Sequence, residues 1–180
     1  MVDRQPVLVG ESLVLRPMRS DDFDELYAVA NDPLLWAQHP EPTRWQKQAF
    51  ERYFNEMVVS GGALVVIDQA TTRLIGASRF QITYENDLEI GWSFLGRAYW
   101  GGPTNAEMKH LMIDHAFGTI DSVIFRIGAN NARSRRAVEK LGALLEATFE
   151  SARGPAVTYR LRRGDWVGRH DSMTFVTVDK

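Results

Sequence analysis

Apolar residues recur with a helical period in two segments near the start of the chain. They lie three or four positions apart, as an amphipathic helix requires, and polar residues fill the positions between them. The apolar positions are Phe23, Leu26, Tyr27 and Ala30 in the first segment, and Phe50, Tyr53, Phe54, Met57 and Val58 in the second. Ser20 is predicted to cap the first helix, and Thr43 with Gln46 forms a capping-box pattern ahead of the second.

Runs of β-branched and aromatic residues elsewhere predict strands. These runs cover residues 13–18, 63–68, 73–84, 87–96 and 122–129. Near the end of the chain the pattern predicts strands at 144–150 and 173–178, with an extra hairpin within 154–169.

Two more helices complete the predicted order of elements. They cover residues 103–117 and 131–142, and the second is expected to end at Gly142. Strands and helices in this order predict an α+β fold with a mixed sheet, in one domain over residues 1–180.

The composition of the chain mainly excludes classes of function. The net charge of −2 and the pI of about 6.1 leave no global positive field for nucleic acid. The absence of cysteine excludes disulfides, thiolate metal sites and a cysteine nucleophile, and it fits a cytoplasmic location. No leader pattern is found, and no run approaches the ~18 apolar residues of a membrane span. His110 and His115 do not share a helix face, so no metal site is predicted.

A glycine-rich loop carries the first candidate chemistry. Gly101, Gly102 and Pro103 lie between a predicted strand and a predicted helix, and the free N–H groups of a helix start can bind phosphate. The loop lacks the Lys-Ser/Thr pair of a Walker loop and the third glycine of a dinucleotide-binding fingerprint. Taken alone, it fits a phosphate site or an ordinary glycine turn with a proline at the first helical position.

The order of the surrounding segments resembles the GNAT superfamily of acyl-CoA N-acyltransferases. The sequence LEIGWSFLGRAYWGG at 88–102 is followed by a helix, a strand and NNARSRRAVEKLGA at 130–143. The most specific part is the pattern N-x-x-S-x-x-x-x-E-K-x-G, which Asn131, Ser134, Glu139, Lys140 and Gly142 carry. Together with residues 13–33, these segments are most similar to the RimL/RimJ-type ribosomal-protein N-terminal acetyltransferases. The resemblance spans roughly residues 10–150.

The resemblance implies a splayed, mostly antiparallel sheet flanked by about four helices, with acetyl-CoA in the gap. Its pantetheine would follow the main chain of Trp92, Ser93 and Phe94, and an N–H near Phe94 would stabilise the oxyanion. The pyrophosphate would lie on the amides of Gly101, Gly102, Thr104 and Asn105. The chain departs from the family pattern at Ala98 and Pro103.

The same resemblance assigns candidate catalytic residues. Glu89 would act through water as the base for an amine, or it would form an ion pair with Arg79 on the neighbouring strand. Strand alternation predicts Glu89, Gly91 and Ser93 on one face and Trp92 and Phe94 on the other. An α-amino group with a pKa of ~8 takes about 1.4 kcal/mol to deprotonate at pH 7, and a lysine at ~10.4 takes about 4–5.

The helix at 131–142 supplies the remaining candidates. Ser134 would donate a hydrogen bond to the departing thiolate, or it is an ordinary first-turn serine. Asn131 would hold the pantetheine amide, cap the helix, or do both. Arg133, with Arg135 and Arg136, would neutralise phosphate groups of the cofactor, or these arginines form a solvated face.

Two functional hypotheses follow from these residues. The first is an acetyl-CoA-dependent N-acetyltransferase that acts on a protein N-terminal α-amine or a small-molecule amine, by direct attack in a ternary complex. The second is a non-catalytic acyl-CoA-binding or sensor module, which the departures at Ala98 and Pro103 motivate. The expected partners are acetyl-CoA, an amine acceptor and a second copy in a homodimer, with neither nucleic acid nor membrane.

Overall fold

The computed structural model describes residues 2–166 and places eight strands in one sheet. The strands are β1 (Leu8–Val9), β2 (Leu13–Pro17), β3 (Ala63–Asp68), β4 (Arg73–Ile82), β5 (Leu88–Leu95), β6 (Ser122–Gly128), β7 (Leu144–Ser151) and β8 (Gly154–Arg162). The α-helices within these residues are α1 (Phe23–Ala30), α2 (Pro33–Trp36), α3 (Lys47–Val59), α4 (Thr104–Phe117) and α5 (Ala132–Glu139). None of these helices has the length and apolar character needed to cross a bilayer.

The sheet is mixed, as the order of elements predicts, and mostly antiparallel, as the resemblance implies. Its strand order is β1-β2-β3-β4-β5-β6-β8-β7, and β5 with β6 is its one parallel pair among the described residues. Parallel neighbours need a crossover connection, which α4 supplies. The β5–β6 ladder contains a single register pair, Glu89 opposite Ile124, whereas β6 and β8 pair at seven positions. The sheet therefore opens at one place, between β5 and β6.

Two apolar cores cover the two faces of the sheet. On one face, α4 buries Met108, Leu111 and Met112 against sheet residues that include Phe80 and Ile90. On the other face, α1, α2 and α3 build an aromatic cluster. Its buried ring-bearing members are Trp36, Phe50, Tyr53, Phe54 and Phe94. The apolar side chains that recur with a helical period in α1 and α3 all pack in this second core, so the two predicted buried stripes are confirmed.

The predicted helix caps are wrong at both early helices. Ser20 makes no side-chain cap bond, and the chain enters α1 through a 3₁₀ turn. Asp22 takes the anchoring role, because its carboxylate accepts the Arg19 N–H at 2.7 Å and pairs with Arg16. Thr43 lies in a turn ahead of α3, which begins at Lys47. Caps are decided by local backbone geometry, which residue type alone does not fix.

The end of the described chain also differs from the prediction. Residues 154–162 form no separate hairpin but the strand β8, which lies between β6 and β7. Val157, Tyr159 and Leu161 of β8 are buried in the core, so the strand is held by packing. The very short β1 and α2 were not predicted. The predicted strand at 173–178 lies outside the described residues.

Gly142 ends α5 as predicted. Its φ of +90° is in the left-handed region, which glycine adopts without a Cβ clash. The N–H groups of Gly142 and Ala143 return to the carbonyls of Glu139 and Val138 at 3.0 and 3.2 Å. These two bonds form a Schellman motif.

A buried carboxylate ties α4 to the sheet. Glu107 is 8% exposed, and it accepts hydrogen bonds from the Ser12 hydroxyl, the Ser12 N–H and the Leu13 N–H at 2.5, 2.8 and 3.2 Å. These bonds satisfy backbone donors at the start of β2 and hold the helix in place beside the opening of the sheet.

Glu107→Ala is therefore expected to lower the free energy of unfolding by about 3 kcal/mol, because it removes three hydrogen bonds to a charged group and leaves the buried Leu13 N–H without a partner. Urea unfolding would measure the change. Glu51→Ala on the exposed side of α3 is the matched control, with an expected change within about 0.5 kcal/mol. A loss at position 107 no larger than the control would contradict this role.

Candidate active site

The separation of β5 and β6 creates a cleft of about 870 Å³. Residues 89–95 of β5 form one wall, and β6 with α5 forms the opposite wall. The start of α4 and the glycine loop close one end of it. All the site residues predicted from the sequence line this cleft except Thr104. The predicted residues that it brings together are Glu89, Trp92, Ser93, Phe94, Gly101, Gly102, Asn105, Asn131, Arg133 and Ser134.

A β-bulge shapes the β5 wall. Trp92 and Ser93 lie opposite the single residue Ser78, and Trp92 has a φ of +53°. The Tyr53 hydroxyl donates to the Trp92 carbonyl at 2.5 Å, and the Arg79 guanidinium lies 3.7 Å from an indole ring centroid of Trp92. These contacts hold a backbone conformation that a bulky residue rarely adopts.

The bulge corrects the predicted alternation of β5. Leu88 and Ile90 pack on the α4 side of the sheet, whereas Phe94 packs on the side of α1–α3. The extra residue reverses which side chains face which core. Glu89 and Trp92 therefore share the α1–α3 face, and Ser93 points to α4, where it meets the side chain of Lys109.

Glu89 is buried at the point where the strands part. Glu89 is 8% exposed. Among residues 2–166 it forms no ion pair with Arg79, so the alternative role considered from the sequence, an ion pair between neighbouring strands, is absent. Burial raises the pKa of the Glu89 carboxyl above its ordinary value, although the charges of Arg126, Arg79 and Lys109 act in the opposite direction. The carboxylate lies against Gly91, where a Cβ would collide with it.

The glycine loop leads into α4 and leaves backbone amides open. Gly101 has a φ of +77°, and a Cβ at Gly101 or Gly102 would meet no atom within 4 Å. The helix begins at Thr104, one residue later than predicted, and Pro103 precedes it with a φ of −76°. The Glu107 N–H donates to the Pro103 carbonyl at 2.9 Å, so the amides of residues 104–106 precede the first helical bond.

The α5 helix contributes the opposite wall of the cleft. The Asn131 carboxamide oxygen accepts the Ser134 N–H at 3.1 Å, so Asn131 caps the helix. The Arg133 guanidinium lies 3.6 Å from a ring centroid of Trp100, next to the glycine loop. Arg135 donates to the Tyr159 hydroxyl and the Ala129 carbonyl, so it supports the fold and lies away from the cleft.

Sequence reasoning missed Lys109, which projects from α4 into the cleft. The residue is 6% exposed, and its Nζ donates to the Ser93 hydroxyl at 2.6 Å. Burial lowers the pKa of the Lys109 ammonium to about 7. One signal was present in the sequence, because Lys109 shares a helix face with Met112, Ile113 and Ala116.

The α1–α3 side of the cleft is aromatic and cationic. Arg44 is 3% exposed and lies 5.1 Å from a ring centroid of Trp36 and 4.4 Å from that of Tyr53. Burial lowers the pKa of His39 to about 3, so this imidazole is neutral at pH 7. Tyr84 is fully exposed.

A mixed sheet that opens beside a glycine loop and a helix start defines an acyltransferase architecture of the GNAT class. The family model described as "Acetyltransferase (GNAT) domain" matches residues 12–144, and the chain therefore belongs to that family. Its fold is the GNAT fold, and the family uses acetyl-CoA as the acetyl donor. No protein of curated function matches the sequence significantly.

Solved structures share this fold at low sequence identity. A GCN5-related N-acetyltransferase from Brucella melitensis has a TM-score of 0.79 at 19% identity, over 90% of this chain and 80% of that one. A probable GNAT-family acetyltransferase from Chromobacterium violaceum has a TM-score of 0.78 at 19% identity, over 90% and 88%. The microcin C7 self-immunity acetyltransferase MccE, solved with acetyl-CoA and AMP, has a TM-score of 0.70 at 16% identity, over 85% and 93%.

Tyr53→Phe tests the support of the bulge. Loss of the buried hydrogen bond to the Trp92 carbonyl is expected to lower the free energy of unfolding by about 1 kcal/mol. Tyr27→Phe is the control, because the Tyr27 hydroxyl makes no hydrogen bond among the described residues. Chemical unfolding of both variants measures the difference, and equal stabilities would contradict the assigned role of the Tyr53 hydroxyl.

Proposed function

We propose that this protein is an N-acetyltransferase that moves the acetyl group of acetyl-CoA to a primary amine by direct attack in a ternary complex. The observation that carries the proposal is a buried carboxylate, Glu89, in the wall of a cleft that also contains open backbone amides. The cleft volume of about 870 Å³ lies within the ~300–1,000 Å³ typical of small-molecule sites.

The glycine loop and the α4 start suit the phosphate groups of the donor substrate. Open amides at a helix N-terminus attract anions because donors and helix dipole act together. Gly101, Gly102, Thr104 and Asn105 would supply these amides, and Arg133 beside them would add positive charge. Pro103 removes one donor and leaves the amides on either side of it in place.

The β5 edge suits the acyl end of the donor. Beyond Glu89, β6 has moved away, so the main chain of Trp92, Ser93 and Phe94 borders the cleft. We assign the pantetheine to this edge and oxyanion stabilisation to an N–H near Phe94. Asn131 would add an amide contact, and Ser134 would donate a hydrogen bond to the departing thiolate.

Glu89 is assigned as the base that removes the amine proton, directly or through water. Its raised pKa brings it closer to that of an amine, which favours proton transfer. A protein N-terminal α-amine, as in the RimL/RimJ branch, needs less help than a lysine because its pKa is lower. We therefore place this protein near that branch, with small-molecule amines as the second acceptor class. A cytoplasmic location and a homodimer, both expected from the sequence, are part of the same proposal.

The direct test is release of free CoA thiol from acetyl-CoA across a panel of amines. The panel contains peptides with N-terminal Ser, Ala or Met, the same peptides with a blocked N-terminus, and spermidine. Turnover with a free N-terminus and none with the blocked peptide is the expected result. Tight CoA binding by calorimetry with no turnover on any amine would favour a non-catalytic acyl-CoA sensor. Failure to bind CoA would exclude both functions.

Glu89→Gln is expected to lower turnover by about 10²-fold near pH 7, where the acceptor amine is protonated and needs a base. The deficit should shrink above pH ~8, where the α-amine is already neutral. The wild type should lose rate as the pH falls through the raised pKa of Glu89. The profile of kcat against pH measures both effects, with CoA affinity as the control. A deficit that is constant with pH would contradict the role of base.

Ser134→Ala is expected to lower kcat with little change in CoA affinity. The removed hydroxyl would act mainly on the thiolate, which develops only during the reaction. Steady-state kinetics and calorimetry on one preparation separate the two quantities. An unchanged kcat would show that Ser134 is an ordinary first-turn residue of α5.

A further inference from the structure

Lys109 is a buried cation to which the proposed acetyl transfer gives no role so far. Among residues 2–166 it forms no ion pair with a carboxylate, and its Nζ contacts the Ser93 hydroxyl, which in turn lies 2.7 Å from the Ser78 hydroxyl. The Phe125 ring centroid is 5.8 Å from Nζ. A buried ammonium without a counter-ion destabilises a fold, and an apolar side chain of similar length would fill the same space.

Its place on α4 puts Lys109 on the donor side of the cleft. Asn105, one turn earlier on the same helix, also lines the cleft next to the open amides that suit phosphate. Lys109 is one turn farther along the same wall, and its Nζ contacts Ser93, whose main chain belongs to the β5 edge assigned to the pantetheine. Glu89 lies on the opposite face of β5, with the aromatic cluster of α1–α3. The ammonium and the carboxylate therefore approach the reacting centre from opposite faces.

We propose that Lys109 is the proton donor to the thiolate that leaves acetyl-CoA, a catalytic role that rests on the proposed acetyl transfer. When the tetrahedral intermediate collapses, the C–S bond breaks and its electron pair stays on sulfur. A proton moves from Nζ of Lys109 to that sulfur, which gives the free thiol and a neutral lysine. The proton of the attacking nitrogen leaves through Glu89, and solvent reprotonates Lys109 before the next turnover.

The surroundings of Lys109 suit this proton transfer. The pKa of about 7 lies below the ~8.5 of an ordinary thiol, so transfer to the thiolate is downhill. From β5, the Glu89 charge favours the ammonium, whereas β4 and β6 present Ser78 and Phe125. Arg79 and Arg126 act on Glu89, and His110, the next residue of α4, packs against Trp166. A donor must be protonated, so the rate should fall as the pH rises through about 7.

The test uses acetyl-CoA with hydroxylamine, a small nucleophile that is neutral at pH 7, so it needs no deprotonation before attack and replaces the unknown acceptor. Lys109→Met is nearly isosteric, and Lys109→Arg keeps the charge but holds its proton too tightly to release it. Lys47→Met, on the exposed side of α3, is the matched control. Thermal unfolding and CoA calorimetry on each variant confirm that it is folded and binds the donor.

We expect kcat to fall about 10²-fold or more in both position-109 variants, with CoA affinity within about threefold of wild type. The alkaline fall in rate should be present in the wild type and in Lys47→Met and absent from Lys109→Arg. Wild-type kcat in either position-109 variant would overturn the proposal, and so would stoichiometric acetylation of Lys109 in a mass spectrum. If the wild type binds CoA but is inactive with hydroxylamine and every amine, the proposed function itself fails.

Discussion

The parting of β5 from β6 after one register pair is the constraint on which the site depends. A parallel pair that stayed joined would satisfy its own main-chain groups and leave no cleft. The bulge at Trp92 then reverses the alternation of β5, so that side chains after it face the opposite side of the sheet from the one that their spacing predicts. Tyr53 of α3 and Arg79 of β4 contact Trp92 and hold the bulge in place. The open edge of β5, the burial of Glu89 beside it and the contact of Ser93 with Lys109 of α4 all follow from this local break in pairing.

Two opposite charges share the cleft without forming an ion pair. Glu89 and Lys109 are each less than a tenth exposed, and burial moves the pKa of each toward neutrality. A direct ion pair would push the two pKa values apart and fix both charges at neutral pH. Separation across β5 keeps both groups able to exchange protons, which suits chemistry in which one proton is removed and another delivered. Glu107, the buried carboxylate that anchors α4 to the start of β2, differs from Glu89 because both of its oxygens accept hydrogen bonds from the protein.

The sequence predicted most of the framework because burial imposes a period on it. The strands β3 to β6 and the helices α3 and α4 fall within a few residues of their predicted bounds. The failures have physical causes. Ser20 and Thr43 are good capping residues, but Ser20 lies inside a 3₁₀ turn and Thr43 lies in a turn three residues ahead of the residue that precedes α3. The strand β8 forms a hairpin with β7 and also pairs on its other side with β6, a long-range pairing that no local pattern reveals.

By itself, the sequence determined the types of element, the glycine loop, the α5 motif with its Gly142 stop and, through resemblance, the GNAT family. Of the eleven site residues predicted from the sequence, ten line one cleft in the structure. Only the tertiary structure decided which face each β5 side chain occupies, because one inserted residue reverses a two-residue period. It also decided that Glu89 and Arg79 stay unpaired and that Lys109 enters the cleft. Those outcomes depend on contacts between segments far apart in the chain, where local pattern carries no information about distance or burial.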